Sequence, residues 1–201
     1  MLEILQEALD KTLRDMEEDF PVAPIEAWNE SVFRFIFCKN LKKQDEQINQ
    51  LIECNRIDLV LHQKGPILSS SFIEFKFYIH SNRANPCTQK ITGLKSFPSD
   101  RNFSEFGNSA KQLGNKQGGE STSKFIILFY ADLDSCKSRR YDNYYKNEII
   151  KVQEVQEFEW SIAQEHRKIV ELRDSTNKIT KCNAVIYKLE KVLIPKKSEG
   201  M

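Results

Sequence analysis

Asp58, Glu74 and Lys76 are charged residues inside two stretches that otherwise have the composition of β-strands. The first stretch, Arg56 to His62, is rich in Ile, Leu and Val, and the second, Phe72 to Ile79, is aromatic and β-branched. Such strands normally have at least one buried face, where an ionised carboxylate is costly unless it is paired or binds a metal ion. The two carboxylates therefore indicate a site, and carboxylate oxygens are the ligands of a magnesium-type ion.

Whether the three side chains meet depends on the register of the hairpin. Glu74 and Lys76 share one face of their strand, because successive side chains alternate. Gly65-Pro66 predicts a turn between the two strands. A four-residue turn from Gln63 to Pro66 would place Asp58 on the opposite face, whereas a three-residue turn or a β-bulge would place it on the same face. The sequence leaves both registers open.

The hairpin belongs to a regular order of predicted elements. Trp28 to Leu41 is a helical segment with Glu30 near its start, and Leu51 to Cys54 is a short strand. After the hairpin, Phe103 to Lys116 is predicted as a helix and Lys124 to Asp132 as a strand. The last of these is nearly all apolar, which is typical of a central strand buried on both faces.

An Asp, then fifteen residues, then Glu-x-Lys on the next strand, with a Glu on the preceding helix, resembles the core motif of the PD-(D/E)xK nuclease superfamily. The residues that match are Glu30, Asp58, Glu74 and Lys76. The resemblance spans about residues 26 to 132, and Ile57 stands where the name of the superfamily has Pro. It implies an α/β fold of the restriction endonuclease-like type, in which helices flank a mixed central β-sheet.

The same resemblance implies metal-dependent hydrolysis of phosphodiester bonds in nucleic acid, most directly by a DNA endonuclease of restriction-like, defence or repair type. Asp58 and Glu74, with the backbone carbonyl of Phe75, would hold Mg²⁺, or Mn²⁺ in its place. Lys76 would orient the attacking water and stabilise the charge that develops on the phosphate. Glu30 would contribute through a water molecule or a second ion.

The helix after the motif offers one further candidate. In some relatives of the superfamily this helix contributes a Gln or a Lys to the site. Gln112, in the segment from Phe103 to Lys116, is an accessory candidate on that ground.

Two of these assignments have a purely structural alternative. Glu30 falls one turn before Arg34, so the two could form a surface pair worth roughly a few tenths of a kcal/mol. Glu74 and Lys76 could form an exposed ion pair on the sheet that contributes little to stability. The chain would then be a nuclease-fold protein without catalysis that serves as a binding or regulatory module, or an unrelated α/β interaction protein in which the motif is accidental.

Length and periodicity predict a single domain with additions at both ends. A chain of 201 residues is long enough for one core and short for two. Residues 1–24 comprise an extra N-terminal amphipathic helix and a connector, and residues 26–132 comprise the core. Residues 133–201 carry a predicted helix from Tyr141 to Arg173 and a final strand from Lys181 to Ile194.

The charge and hydropathy of the chain restrict the classes of partner that it can bind. The net charge of +1 falls short of the basic balance of a nucleic-acid coat, and the basic run from Lys137 to Arg140 is more simply interpreted as a solvated face. No apolar run approaches the roughly 20 residues that span a bilayer, and the N-terminus lacks a signal pattern. We therefore expect a cytoplasmic protein without membrane contact. Its partners would be DNA and a second copy, through the N-terminal helix, or another protein.

The cysteines and histidines argue against zinc, disulfide and histidine-based sites. Five cysteines, widely spaced and without a C-x-x-C pair, argue against a zinc site and a disulfide framework. Three histidines leave little material for a His-based site, whereas a magnesium site needs none.

Overall fold

The computed structural model of the chain describes residues 1–19, 28–63, 69–78, 100–119, 121–132, 149–151, 158–173 and 179–193. Across these ranges the chain forms three helices and seven strands. The helices are α1 (Leu2–Asp19), α2 (Glu30–Gln44) and α3 (Asp100–Asn115). The strands are β1 (Ile48–Cys54), β2 (Ile57–Gln63), β3 (Ser69–Tyr78), β4 (Thr122–Asp132), β5 (Ile149–Lys151), β6 (Phe158–Arg173) and β7 (Ile179–Leu193). Within the described ranges, no helix combines the length and the apolar character that crossing a membrane requires.

The described strands form one mixed sheet in the order β1-β2-β3-β4-β7-β6-β5. Strands β3 and β4 are parallel, and the other neighbouring pairs are antiparallel. Parallel neighbours need a long crossover connection, and α3 lies in the connection between β3 and β4. The predicted α/β class with a mixed sheet is therefore confirmed.

Two hydrophobic clusters cover the two faces of this sheet. On one face, odd-numbered residues of the central strands pack with α1 and α2; they are Leu59, Leu61, Ile73, Phe75, Phe125, Ile127 and Phe129. On the other face, even-numbered residues pack with α3; they are Val60, Phe72, Tyr78, Ile126, Leu128 and Tyr130. This alternation is the two-residue period of strands buried on both sides. Strand β4, buried from Lys124 to Tyr130, is the central strand that the sequence predicts.

Helix α1 packs by the apolar face that its sequence predicts. A side-chain hydrogen bond of 2.9 Å from Asn40 Nδ2 to Asp15 Oδ2 joins it to α2. The face suggested above as a contact with a second copy is therefore used within the chain. Its buried apolar residues are Leu5, Ala8, Leu9, Leu13 and Met16.

The predicted helix from Tyr141 to Arg173 is wrong in its described part. Residues 149–151 form β5, and residues 158–173 form β6, which pairs with β7 along its whole length. The final strand predicted from Lys181 to Ile194 is confirmed as β7. The basic run at residues 137–140 lies outside the described residues.

Strand β6 contains a β-bulge. Glu165 is an extra residue in the pairing of β6 with β7. Before the bulge, Trp160 and Ile162 pack in the cluster that contains α3, whereas after it Val170 and Leu172 pack in the cluster with α1 and α2. The bulge therefore moves even-numbered side chains from one face of the sheet to the other. The strand pattern is hidden in the sequence because residues 164–168 are polar and because the exposed Ile169 falls out of phase with the buried residues.

Residues 45–47 connect α2 to β1. Helix α2 continues to Gln44, and β1 begins at Ile48. The ammonium group of Lys42 donates hydrogen bonds to the backbone carbonyls of Glu46, at 2.5 Å, and Ile48, at 3.1 Å. This lysine therefore closes the connection between α2 and β1.

The cysteines of the described ranges are free thiols. Cys38 and Cys182 are buried in the cluster with α1 and α2, and Cys54 is half-buried. Burial raises the pKa of the Cys38 thiol to about 11, so this residue packs as a neutral side chain at pH 7.

Candidate functional site

The register of the hairpin formed by β2 and β3 brings the motif residues together. The pairing of the two strands ends with Leu59 opposite Ile73. Five residues, 64–68, separate the strands, so the connection has an odd length. Asp58 and Glu74 come next along the two strands, and the charge of Asp58 raises the pKa of Glu74, so the two carboxylates lie near each other. The structure therefore brings the two carboxylates of the motif together where the pairing ends.

Asp58 stands where β2 and β3 stop pairing. Its Oδ2 accepts a hydrogen bond of 2.7 Å from the backbone N–H of Phe75. The N–H would otherwise lose its partner at the end of the ladder, because buried backbone donors require an acceptor. The side chain of Asp58 thus replaces a backbone carbonyl of β2 and is fixed in the gap between the strands.

Glu74 and Lys76 form an ion pair on one face of β3. The Lys76 ammonium group lies 3.0 Å from Glu74 Oε1. Only 9% of the Lys76 side chain and 17% of the Glu74 side chain are exposed. The ion pair that the structural alternative predicts is therefore present, but it is largely buried and not exposed. A pair this deep is held by the surrounding packing and is weakly screened by solvent.

Glu30 enters the site from the start of α2. Asn29 caps the helix, with its side-chain oxygen accepting a 3.0 Å hydrogen bond from the backbone N–H of Val32. The cap makes Glu30 the first residue of the helix, where the helix dipole favours a negative charge. Lys76, Asp58 and Glu74 all influence the protonation of Glu30, so the structure brings the four motif residues into one electrostatic cluster.

Arg34 was considered from the sequence only as a surface partner of Glu30. Its side chain is instead buried and donates to Asp58 Oδ1 at 2.8 Å and to Glu53 Oε1 at 2.5 Å. No ion pair joins it to Glu30 among the described residues. The guanidinium group therefore bridges β1 and β2 and fixes the second oxygen of Asp58. A planar fork of donors suits this bridging role better than a point charge.

Glu53 has an unusual backbone. Its φ is 54°, in the left-handed region, and it lies between the paired residues Ile52 and Cys54 at the level of Asp58. A left-handed conformation costs a residue with a Cβ roughly 1–2 kcal/mol. Strain of this kind is frequent at functional sites. The sequence offered no signal for Glu53 beyond its position beside a turn.

The turn that follows Glu53 is a two-residue hairpin connection. Asn55 and Arg56 have φ values of 52° and 60°, and they link the paired residues Cys54 and Ile57. Primed turns with two positive φ angles match the twist of a hairpin. The turn fixes the start of β2 and therefore the position of Asp58.

The two glutamates of the cluster hold their protons more tightly than free glutamates do. Burial raises the pKa of Glu74, which Lys76 lowers and Asp58 raises again. Burial likewise raises the pKa of Glu30, with Lys76 opposing the shift and Asp58 and Glu74 adding to it. Three carboxylates in one partly buried place repel one another, which favours protonation or a bound cation.

Lys76 remains a cation. Burial lowers its pKa, but the carboxylates of Glu74, Glu30 and Asp58 outweigh burial, and the pKa is raised overall. The side chain therefore supplies a fixed positive charge and N–H donors at neutral pH.

The donor set fits a hard divalent cation by its chemistry. Asp58 and Glu74 offer carboxylate oxygens near each other, and the carbonyl of Phe75 follows directly in β3. Each oxygen of Asp58 already accepts one hydrogen bond, but an ionised carboxylate has further acceptor sites. In the described part of the chain, no three His, Cys, Asp or Glu side chains converge closely enough to form a metal site by themselves.

Gln112 stands apart from these residues. Its side chain is exposed on α3, whose buried residues are Phe106, Ala110 and Leu113. It makes no hydrogen bond with Asp58, Glu74 or Lys76 within the described ranges. The accessory role of Gln112 stays a prediction.

No family model, curated protein or solved structure matches this chain. Membership of the PD-(D/E)xK superfamily therefore stays a prediction. It rests on the motif and on the geometry of the residues that form it.

Proposed function

We propose that this chain is a metal-dependent nuclease that hydrolyses phosphodiester bonds, with DNA as the first substrate to test. One observation carries the proposal: Asp58 is fixed in the gap where β2 leaves β3, close to the ion pair of Glu74 and Lys76. Two carboxylates and a lysine in this arrangement suit a cation and a phosphate bound next to each other.

The fold is consistent with the proposal at the level of element order. The helix with Glu30, the strand before Asp58, the hairpin, α3 and β4 follow one another in the order that the resemblance implies. A restriction endonuclease-like domain, with residues 26–132 as its core, is part of the proposal.

Asp58 and Glu74, with the carbonyl of Phe75, would hold Mg²⁺ or Mn²⁺. When bound, such an ion supplies Lewis-acid polarisation of the phosphate and a more acidic water molecule. The chain supplies the rest. Its four carboxylates, Glu30, Glu53, Asp58 and Glu74, face two cations, Arg34 and Lys76, so a divalent ion would balance the two remaining negative charges.

Lys76 would act on the substrate. Its ammonium group is buried, permanently charged and tied at 3.0 Å to Glu74, so it is oriented before any substrate arrives. A preoriented cation in a site with little water stabilises the charge that develops on a phosphate oxygen. Burial raises the pKa of Glu30, which makes it a stronger base than a free glutamate for accepting a proton from water.

Arg34 would be a positioning residue. It touches Asp58 Oδ1, while the backbone of β3 holds Oδ2, so the carboxylate cannot rotate freely. This contact keeps the carboxylate in one orientation, while the charge of the guanidinium group competes with a cation for Asp58.

A second candidate function is favoured by the same contacts. Arg34 neutralises Asp58, and Lys76 neutralises Glu74, so both carboxylates are already paired within the chain. An internally balanced cluster of this kind also fits a nuclease-fold module that binds nucleic acid or a partner without cutting.

The test is cleavage of supercoiled plasmid, single-stranded DNA and RNA with Mg²⁺ or Mn²⁺. The wild type is compared with Asp58→Ala, Lys76→Ala and the control Lys39→Ala, which alters an exposed lysine of α2. We expect the wild type and the control to cut, Lys76→Ala to lose about 10³-fold in rate and Asp58→Ala to be inactive. Lack of cutting by the wild type on every substrate with both metals would refute hydrolysis and favour the binding module.

A further inference from the structure

A cleft of about 950 Å³ opens beside the end of α3. It is lined by residues 115–119, which follow α3, by the start of β4 and by the paired ends of β6 and β7. None of the motif residues lines it. It is therefore separate from the cluster around Asp58.

The cleft lies on the sheet face that carries Glu74 and Lys76. Lys124 of β4, at the edge of the cleft, pairs with Phe72 of β3, and Glu74 comes two residues later on the same face. Two residues of a strand cover about 7 Å. Helix α3 covers the sheet face between the two places, so a ligand longer than one phosphate group would reach the cluster around the turn at Asn55 and not across the sheet.

Positive charge is concentrated in this cleft. The described residues that line it include four lysines and one glutamate, Glu190, a surplus of three positive charges. The whole chain has a net charge of only +1. The lining lysines are Lys116, Lys124, Lys188 and Lys191. Walls of one charge sign in a concave site focus the field and attract an anion.

Lys124 forms the buried floor of the cleft. Its ammonium group donates to the backbone carbonyls of Gly114, at 2.5 Å, and Lys116, at 2.7 Å, which closes the end of α3. It also lies 4.4 Å from the centre of the Trp160 ring. Burial, with a smaller contribution from Lys191, lowers the pKa of Lys124 to about 8.

Lys191 lies over the same ring. Its ammonium group is 5.3 Å from the centre of Trp160, so two cations share one indole. Like charges this close repel each other, which is why Lys191 contributes to the lowered pKa of Lys124.

Trp160 is not placed to stack on a nucleobase. Only 6% of the residue is exposed, and Gly114 approaches its ring so closely that a Cβ there would lie 3.2 Å from it. A stacking platform needs an open aromatic face. Contacts in the cleft would therefore be made to phosphate groups, which carry no sequence information.

We infer that this cleft binds the phosphate backbone of a nucleic acid, as an anchor for a strand that continues to the cluster around Asp58. The inference rests on the proposed function, because it assigns the same substrate to both places. The connection between them is short: Lys116 Nζ donates at 2.7 Å to the carbonyl of Asn55, in the turn just before β2. The exposed Arg56 of that turn adds a further positive charge along the path.

The experiment measures binding without cleavage. The fluorescence anisotropy of labelled DNA and RNA strands, each about 20 nucleotides long and of the same sequence, is recorded in EDTA over a range of NaCl concentrations. The full chain is compared with the double variant Lys188→Gln/Lys191→Gln and with Lys181→Gln. Lys181 is an exposed lysine at the opposite end of β7 and serves as the matched control.

We expect the double variant to bind about tenfold more weakly at low salt and the slope of log K against log [NaCl] to become shallower by about 1.5, because each lost phosphate contact removes about 0.7–0.9 from the slope. The control should bind within twofold of the wild type. The DNA and RNA arms show which polymer supplies the phosphates.

Three results would overturn the inference: wild-type affinity in the double variant, equal weakening in the control, or no binding of either strand by the wild type. Failure of the proposed function is distinguishable from these. If the wild type cuts DNA but its binding does not depend on Lys188 and Lys191, the nuclease proposal stands and the anchor is refuted. If binding depends on these lysines but the protein never cuts, the anchor stands and hydrolysis is refuted.

Discussion

Asp58 accepts a hydrogen bond of 2.7 Å from the backbone N–H of Phe75 at the point where β2 and β3 separate. The carboxylate thus has a structural role as well as the chemical role proposed for it. It replaces a missing acceptor in the sheet, and Arg34 holds its other oxygen. Substitutions that separate the acceptor from the charge can tell the two roles apart.

Replacing Asp58 by Ala should lower the free energy of unfolding by about 2–3 kcal/mol, because it leaves a buried N–H and a buried guanidinium group without their acceptor. Asp58→Asn keeps an oxygen for the N–H of Phe75 and should be less destabilising. Urea unfolding of the three proteins measures the difference. Equal stability of the Ala and Asn variants would mean that the hydrogen bond to Phe75 contributes nothing.

Replacing Arg34 by Gln should strengthen the binding of Mn²⁺ about tenfold, because it removes a cation that lies 2.8 Å from Asp58. Isothermal titration with Mn²⁺ gives the affinity. Arg14→Gln, at an exposed position of α1, is the control and should bind as the wild type does. Weaker binding in Arg34→Gln would show that fixing the Asp58 carboxylate matters more than competing with the ion.

The raised pKa values of Glu30 and Glu74 predict a loss of stability with rising pH. The folded chain keeps protons that the unfolded chain releases above about pH 4.5. The stabilising contribution is therefore complete below that pH and is lost as the pH rises through the raised pKa values. Glu30→Gln and Glu74→Gln remove one titrating group each.

Urea unfolding of these variants and the wild type between pH 4 and pH 8 measures the effect. Each variant should lose less stability than the wild type as the pH rises. Identical pH profiles would show that neither carboxylate is desolvated in solution. Under the proposed function, added Mg²⁺ should reduce the loss in the wild type, since a bound cation favours the ionised carboxylates.

Lys124 predicts the opposite slope at alkaline pH. In the folded chain its pKa is lowered to about 8, whereas the unfolded chain keeps the proton up to about 10.5. The unfolded state therefore binds more protons between these values, and stability from this group increases as the pH rises from 8 to 10.5.

Lys124→Met should abolish this increase. At pH 7 it should also lower the free energy of unfolding by roughly 1–3 kcal/mol, because two carbonyls at the end of α3 lose their donor. Thermal or urea unfolding at pH 7, 8, 9 and 10 provides both measurements. An increase of the same size in the variant would assign the slope to another group.

The sequence predicts much of the fold where a periodic pattern survives in one phase. Helix α1 has the bounds that its apolar spacing indicates, and β2, β3 and β4 lie where their composition places them. The helix predicted over β6 is wrong, because the polar residues 164–168 interrupt the apolar alternation and the exposed Ile169 stands at helical spacing from Ile162. A local pattern cannot reveal a bulge that depends on pairing with β7.

In the site, too, local features could be predicted and features that depend on distant strands could not. Residue type and spacing single out Asp58, Glu74 and Lys76, the resemblance adds Glu30, and the structure brings the four into one electrostatic cluster. The sequence offers Arg34 only as an alternative surface partner of Glu30, whereas its hydrogen bonds go to Asp58 and Glu53, because its orientation depends on the strands opposite α2. The position of Glu53 could not be predicted, because it depends on a left-handed backbone conformation that glutamate rarely adopts.

The bulge at Glu165 lets one strand serve two hydrophobic clusters. The strand has two halves in different surroundings, the first beside α3 and the second beside α1 and α2. A substitution at the bulge changes one side chain, and deletion of Glu165 would leave Gln164 and His166 consecutive, opposite Tyr187 and Ile186, with the faces of both halves unchanged. A residue added elsewhere in β6 would need a second bulge, because otherwise the side chains beyond it would turn to the other face. Strand β6 should therefore accept the loss of this one residue more readily than a gain.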